Sequence, residues 1–153
     1  MDYKKALHKA SSLCSRQEYC RSDIQKKLEK WDLSDSDTEK IIQKLVEEKF
    51  IDEERFTSFY VRDKFRFNKW GRRKIMWQLK QKGIDRETIN LALDQIDPDE
   101  YNEKLQEVIR EKIRQVKNKE PLKQKAAVIR NAVSKGYEYE EIMPLVEQLL
   151  LKK

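Results

Sequence analysis

Two short joints of the same design constrain the fold of this chain more than any other feature. The segments IDEERF (residues 51–56) and IDPDEY (residues 96–101) each place an aspartate directly after an isoleucine and four residues before an aromatic ring. Asp52 and Asp97 are predicted N-caps, because a carboxylate there accepts hydrogen bonds from the free N–H groups of the first helical turn. The flanking apolar pair can close as a hydrophobic staple. Each joint therefore predicts the start of a helix.

Two glycine endings follow the joints in the same order along the chain. The segments KGID (residues 82–85) and KGYE (residues 135–138) each place a glycine where a helix can end in the left-handed conformation. Apolar positions then align in three sets with a period of about 50 residues. The sets are Ile24, Leu28 and Leu33; Ile75, Leu79 and Ile84; and Val128, Ala132 and Tyr137. This register predicts three repeats of three helices.

Composition supports an all-α fold with a thin core. Charged residues make up 41% of the 153 residues, and there are only three glycines and three prolines. Wide charged faces around a thin core are typical of an elongated helical array. We predict three tandem, helix-turn-helix-like repeats in an elongated body, with boundaries at residues 1–51, 52–96 and 97–153.

Local signals place the remaining helix ends. We predict a first helix over residues 2–14 and a second over residues 21–30. Ser36, with Glu39 three residues later, is the best capping box before the third helix. Gly71 is a predicted N-cap, and Pro144 is expected in the first turn of the last helix.

Charge and cysteine content bound the environment of the protein. The net charge of +6, from 34 basic and 28 acidic residues, favours an acidic partner or nucleic acid. No apolar run approaches the length of a membrane span, and the first residues do not lead into a signal-peptide core. Cys14 and Cys20 are therefore expected to be reduced structural thiols in a cytoplasmic protein.

The residue types needed for catalysis do not cluster in the sequence. There is one histidine, two unclustered cysteines and no glycine-rich phosphate loop. We expect no enzymatic activity, no cofactor and no metal. Asp52, Glu53 and Glu54 could suggest a metal site, but their place at a helix start favours capping and dipole compensation.

Two basic runs are the candidate partner-binding residues. Phosphates or acidic protein surfaces can pair with such runs, although a solvated helix face explains them too. The predicted binding residues are Arg62, Arg66, Lys69, Arg72, Arg73, Lys80, Lys82, Arg110, Arg114 and Lys117. Four aromatics interleave with the first run, namely Phe65, Phe67, Trp70 and Trp77. They could stack on bases, but packing between helices is the favoured interpretation.

Several segments, in order and at matching spacing, resemble the RecX regulatory family. They are SRQEYCR (residues 15–21), FIDEERF (residues 50–56), GRRKI (residues 71–75) and KGID (residues 82–85). The resemblance covers almost the whole chain, most closely residues 6–96. One departure is Trp31-Asp32, which stands where the later repeats have Lys-Gly, so the first repeat's middle helix is expected to end differently.

The resemblance implies a curved body of three three-helix repeats. It also implies binding to the RecA recombinase in the groove of its filament, limiting assembly and activity in homologous recombination, DNA repair and the SOS response. The implied protein is a cytoplasmic monomer and not an enzyme, with single- or double-stranded DNA as a further possible partner. Two alternatives stay open: a sequence-independent nucleic-acid-binding helical protein, and a nuclease.

Overall fold

The structure, a computed structural model, describes residues 1–150, and the only regular secondary structure there is α-helix. It contains nine α-helices and no strand within that range. The helices are α1 (Tyr3–Arg16), α2 (Arg21–Lys30), α3 (Asp35–Glu47), α4 (Glu53–Arg66), α5 (Arg72–Gln81), α6 (Arg86–Leu93), α7 (Pro98–Gln115), α8 (Pro121–Ser134) and α9 (Tyr139–Leu150). The prediction of an all-α chain of repeated helical units is confirmed.

Aspartate side chains cap three of the helix starts, two of them at the predicted caps Asp52 and Asp97. Asp52 Oδ1 accepts hydrogen bonds from the backbone N–H groups of Glu54 and Arg55, both at 3.1 Å. Asp97 Oδ2 accepts from the third residue of α7 at 3.0 Å, and Asp85 Oδ1 accepts from the third residue of α6 at 2.8 Å. The joints therefore begin helices where the sequence predicted them.

Two local predictions were wrong. The N-cap of α3 is Ser34, whose Oγ accepts from Asp37 N at 3.1 Å, so Ser36 lies inside the helix. The earlier start adds Asp35 to Asp37 in the first turn, where the helix dipole favours acidic side chains. Pro144 is the sixth residue of α9 rather than a first-turn residue. Its ring lies on an exposed side of the helix, where water can satisfy the carbonyl that proline leaves unpaired.

The middle helices of the three repeats end in one backbone conformation. Gly83 has a φ of 81° and Gly136 a φ of 103°, as the glycine endings predicted. Asp32 takes the same place in the first repeat with a φ of 60°. The expectation that the middle helix of the first repeat ends differently was therefore wrong as regards backbone conformation. Asp32 adopts the left-handed conformation that glycine adopts in the other two repeats.

The apolar register is buried as the repeat predicted. Ile75 and Leu79 have no exposed surface, and their counterparts in the other two repeats are buried too. At the third position of the register Leu33 is half-buried, whereas Ile84 and Tyr137 are buried. Ala92 rather than Leu91 enters the core, since Leu91 is 59% exposed.

The chain forms two compact units. One comprises Met1–Tyr60 and Leu79–Ile89, and the other comprises Val61–Gln78 and the chain from Asn90 onward. In the first unit, α1, α2 and α3 enclose a core of Ala6, Ala10, Ile24, Leu28, Ile41, Leu45 and Ile51. In the second unit, α7, α8 and α9 pack against one another. The predicted repeat boundaries after residues 51 and 96 stay a prediction.

Candidate partner-binding surface

The start of α5 is held by the third repeat rather than by a side chain of its own. Gly71 N donates to the Lys135 carbonyl at 2.7 Å, and Arg73 N donates to the Gly136 carbonyl at 3.0 Å. Arg72 N donates to the Tyr101 hydroxyl at 3.0 Å. Three N–H groups that a helix start usually leaves free are thus satisfied. This contact between the start of α5 and the third repeat, which we call the inter-repeat joint, fixes the positions of the basic residues around it.

Stacked aromatic rings support this joint from inside the second unit. Tyr101 stacks on Phe65 with ring centroids 5.8 Å apart and meets Tyr137 at 5.3 Å. The Tyr137 hydroxyl donates to the Lys69 carbonyl at 2.9 Å. Burial raises the pKa of Tyr101 to about 12, and burial also raises the pKa of Tyr137. Both phenols therefore stay protonated and available as donors at neutral pH.

Acidic residues of the third repeat pair with part of the first basic run. Arg66 Nε lies 3.0 Å from Glu100 Oε1, and Lys69 Nζ lies 3.5 Å from Glu107 Oε2. Arg72 contacts Glu141 at 3.7 Å while its guanidinium lies 3.9 Å from the centre of the Tyr101 ring. These three predicted binding residues therefore also hold the joint together.

A second joint, inside the first unit, follows the same plan with different chemistry. Ser22 Oγ donates to the Lys82 carbonyl at 2.8 Å, and Arg21 N donates to Glu53 Oε2 at 3.1 Å. Thus the start of α2 meets the residue that follows α5, as the start of α5 meets the two residues that follow α8. The plan of the joint recurs from one repeat to the next.

The second joint includes a half-buried ion pair. Lys82 Nζ lies 2.8 Å from Asp23 Oδ1. Burial alone would raise the pKa of Asp23, but hydrogen bonds from Lys82 and Cys20 outweigh it and hold the pKa below its usual value. Burial alone would lower the pKa of Lys82, and the hydrogen bond to Asp23 raises it instead. Lys82, predicted as a binding residue, is therefore engaged within the unit.

The other predicted binding residues form an exposed set, which we call the unpaired cations. No ion pair formed within residues 1–150 involves them, and all are exposed. They are Arg62, Arg73, Lys80, Arg110, Arg114 and Lys117. Arg110 and Arg114 are four residues apart on α7 and so share one helix face. Lys80 belongs to the first unit and the other five to the second.

The aromatic residues of the first run divide between core and surface. Phe65 is buried, as the packing interpretation predicted. Trp70 is half-buried, with Lys64 Nζ and Lys74 Nζ 5.3 and 4.6 Å from its ring centre. Phe67 and Trp77 are 81% and 58% exposed, so the packing interpretation was wrong for them. Trp77 lies two residues from both Ile75 and Leu79, and that helical spacing could have revealed it.

The remaining chemical groups add no further site. Among residues 1–150 no three His, Cys, Asp or Glu side chains come together as metal ligands, and no helix could cross a bilayer. Burial raises the pKa of the Cys14 thiol to about 11 and also raises that of Cys20. Both free thiols are thus protonated at neutral pH and poor nucleophiles.

The fold and this surface together define a helical-repeat protein that presents exposed cations. A family model described as the second three-helix domain of RecX matches residues 52–93. The chain belongs to the RecX regulatory family.

Individual relatives match much more of the chain than the family model does. A regulatory protein RecX of Oceanobacillus iheyensis is 25% identical over 97% of this chain and 56% of its own length. One of Clostridium tetani is 33% identical over 73% of this chain and 52% of its own length. A solved regulatory protein RecX superposes with a TM-score of 0.85 and 26% identity, covering 99% of this chain and 72% of that structure. The chain thus spans about half the length of these two curated relatives.

Proposed function

We propose that this protein binds filaments of the RecA recombinase in their groove and limits their assembly and activity. The observation that carries the proposal is the match to a solved RecX protein over 99% of this chain. The same proposal makes it a cytoplasmic monomer without enzymatic activity, acting on homologous recombination, DNA repair and the SOS response.

The ten predicted binding residues divide between two roles in this proposal. The unpaired cations make most of the contacts with the filament, because no acidic group among residues 1–150 forms an ion pair with them. Arg66, Lys69, Arg72 and Lys82 contribute less, since each already faces a carboxylate. A recombinase filament on DNA offers both phosphates and carboxylates, and guanidinium groups pair with either.

Co-sedimentation tests the proposal directly. The protein is spun with RecA filaments on single-stranded DNA, with the same DNA alone, and with RecA alone, while ATP hydrolysis by RecA is titrated in parallel. We expect pelleting with the filament and a falling rate of ATP hydrolysis. Equal pelleting with bare DNA and no effect on RecA would replace this proposal by sequence-independent nucleic-acid binding.

A further inference from the structure

A groove in the second unit runs between α5 and the last turn of α8. Its lining includes Arg73, Lys74, Trp77 and Gln78 from α5, with Val133 and Ser134 from α8. Trp77 is 58% exposed and Val133 is 47% exposed. An exposed tryptophan in a concave setting is a common anchor of protein interfaces, because it buries a large area with little loss of side-chain freedom.

Charge around this groove is one-sided. None of its lining residues is acidic, in a chain with 28 acidic residues. Arg72, Arg73 and Lys74 occupy the first turn of α5, which contains no acidic residue. Cations there oppose the helix dipole, so this arrangement costs folding free energy. An anionic ligand that pairs with them would offset that cost.

Three of the four backbone N–H groups that the start of α5 could offer to the anion are already engaged. The N–H groups of Gly71, Arg72 and Arg73 already donate to groups of the third repeat. Lys74 Nζ lies over the Trp70 ring, whereas the Arg73 side chain is exposed and belongs to the unpaired cations. Arg73 is therefore the group that a ligand in this groove meets first, with Trp77 one turn further along α5.

We propose that this groove takes a short acidic segment of the RecA protein, an inference that rests on the function proposed above. One carboxylate of the segment pairs with Arg73. A large apolar side chain next to that carboxylate packs on Trp77 and Val133.

The distribution of charge favours a protein segment over a nucleic-acid strand. A strand carries a phosphate at every nucleotide and is held by cations that track its whole length. Among the lining residues the cations lie only at the start of α5, and the groove continues past Trp77 to the neutral Gln78. A peptide with one acidic and one apolar anchor matches a groove that is cationic at one end and apolar further along.

Two single variants test the groove, each with a matched control. Trp77→Ala is paired with Leu91→Ala, because Leu91 is a large apolar residue that is 59% exposed. Arg73→Glu is paired with Arg86→Glu, which makes the same charge change at another exposed first-turn residue. Glutamate in the first turn of α5 is favoured by the helix dipole, so Arg73→Glu should not lower the melting temperature.

The readouts are affinity for RecA filaments, affinity for the same DNA alone, and thermal unfolding. We expect Trp77→Ala and Arg73→Glu each to weaken filament binding by at least tenfold, and the two controls by less than twofold. Binding to bare DNA should not change. Parent-like filament binding by both groove variants would overturn the groove while leaving the proposed function standing. An equal loss on bare DNA would make nucleic acid the occupant and overturn the proposal. A parent protein that fails to bind filaments would overturn the proposed function as well.

Discussion

Gly71 and Gly136 pack backbone against backbone, although 64 residues separate them in the chain. A Cβ atom added to Gly71 would lie 2.5 Å from the carbonyl carbon of Gly136, and one added to Gly136 would lie 2.5 Å from Lys74 Cβ. The joint between the second and third repeats therefore depends on two positions without side chains.

Gly71→Ala is expected to lower the free energy of unfolding by about 3 kcal/mol, at the upper end for overpacked sites. The added methyl group would meet backbone atoms, which cannot move aside as a flexible side chain could. Chemical denaturation measures the change. Gly83→Ala is the control, since nothing lies within 4 Å there and only the φ of 81° opposes alanine, at about 1 kcal/mol. Equal losses for the two variants would contradict the steric explanation.

Leu79→Ala is expected to cost about 2–5 kcal/mol, because Leu79 is fully buried and its removal leaves a cavity. Leu91→Ala, at a position that is 59% exposed, should cost less than about 0.5 kcal/mol. Denaturant titration of both variants checks the register. A loss below about 0.5 kcal/mol for Leu79→Ala would show that the register is wrong.

Asp32→Gly is expected to stabilise the protein by about 0.5 kcal/mol. Asp32 has a φ of 60°, a left-handed conformation that glycine adopts without steric cost. The gain is small because glycine also loses more freedom on folding. Asp32→Ala keeps the Cβ atom and should give no gain. A melting temperature raised equally by both variants would point to the lost charge instead.

Asp23→Asn is expected to cost about 1 kcal/mol at pH 7, because it removes the charge that pairs with the half-buried Lys82. The folded pKa of Asp23 lies below 3.8, so its carboxylate stabilises the protein above that pH. The stabilisation is lost as the pH falls through the folded pKa. On the alkaline side, the Lys82 ammonium keeps its contribution to the free energy of unfolding up to pH 10.5. That contribution is lost as the pH rises through the raised folded pKa of Lys82.

Unfolding of the parent and the Asp23→Asn variant should therefore be compared at pH 7 and pH 3. The difference in free energy of unfolding between the two proteins should be smaller at pH 3. Glu39→Gln, which alters an exposed carboxylate of α3, serves as the control and should change little at either pH. A pH-independent difference would show that the Asp23 charge does not matter.

Two triple variants that remove the same charge should give opposite results. Replacing the unpaired Arg62, Arg73 and Lys80 by alanine should weaken inhibition of RecA by tenfold or more, which needs only about 1.4 kcal/mol of lost binding. The melting temperature should stay near that of the parent, and the loss should be larger at low salt. Inhibition curves equal to the parent's would exclude these residues and shift attention to Arg110 and Arg114.

The matched triple variant replaces Arg66, Lys69 and Arg72, which face carboxylates of the third repeat. It should lower the melting temperature and weaken inhibition less. Strand exchange or ATP hydrolysis by RecA, titrated with each variant, gives the inhibition, and circular dichroism gives the stability.

Local sequence signals predicted the helices because each signal acts within a few residues. Asp52, Asp85 and Asp97 cap helices through bonds that reach two or three residues along the chain. The predicted N-cap of α3 was wrong. Ser34 and Ser36 are each followed by further residues that can cap a helix, so local signals alone do not distinguish between them.

The candidate site was harder to predict because its contacts join distant residues. Gly71 looked like an ordinary N-cap, whereas its role is to let the Gly136 backbone approach. The pairing of Arg66 with Glu100 spans 34 residues and depends on how the repeats pack. A basic run in a sequence therefore does not show which of its members remain unpaired.

Because Trp77 is exposed, its intrinsic fluorescence can report on binding at the groove. Of the three tryptophans, Trp31 and Trp70 are half-buried beneath lysine ammonium groups, and only Trp77 is mostly in contact with water. With Trp31 and Trp70 replaced by phenylalanine, the tryptophan emission would come from the groove alone. A shift of that emission to shorter wavelength on mixing with a partner would time the arrival of an apolar group on the indole ring, without any attached dye.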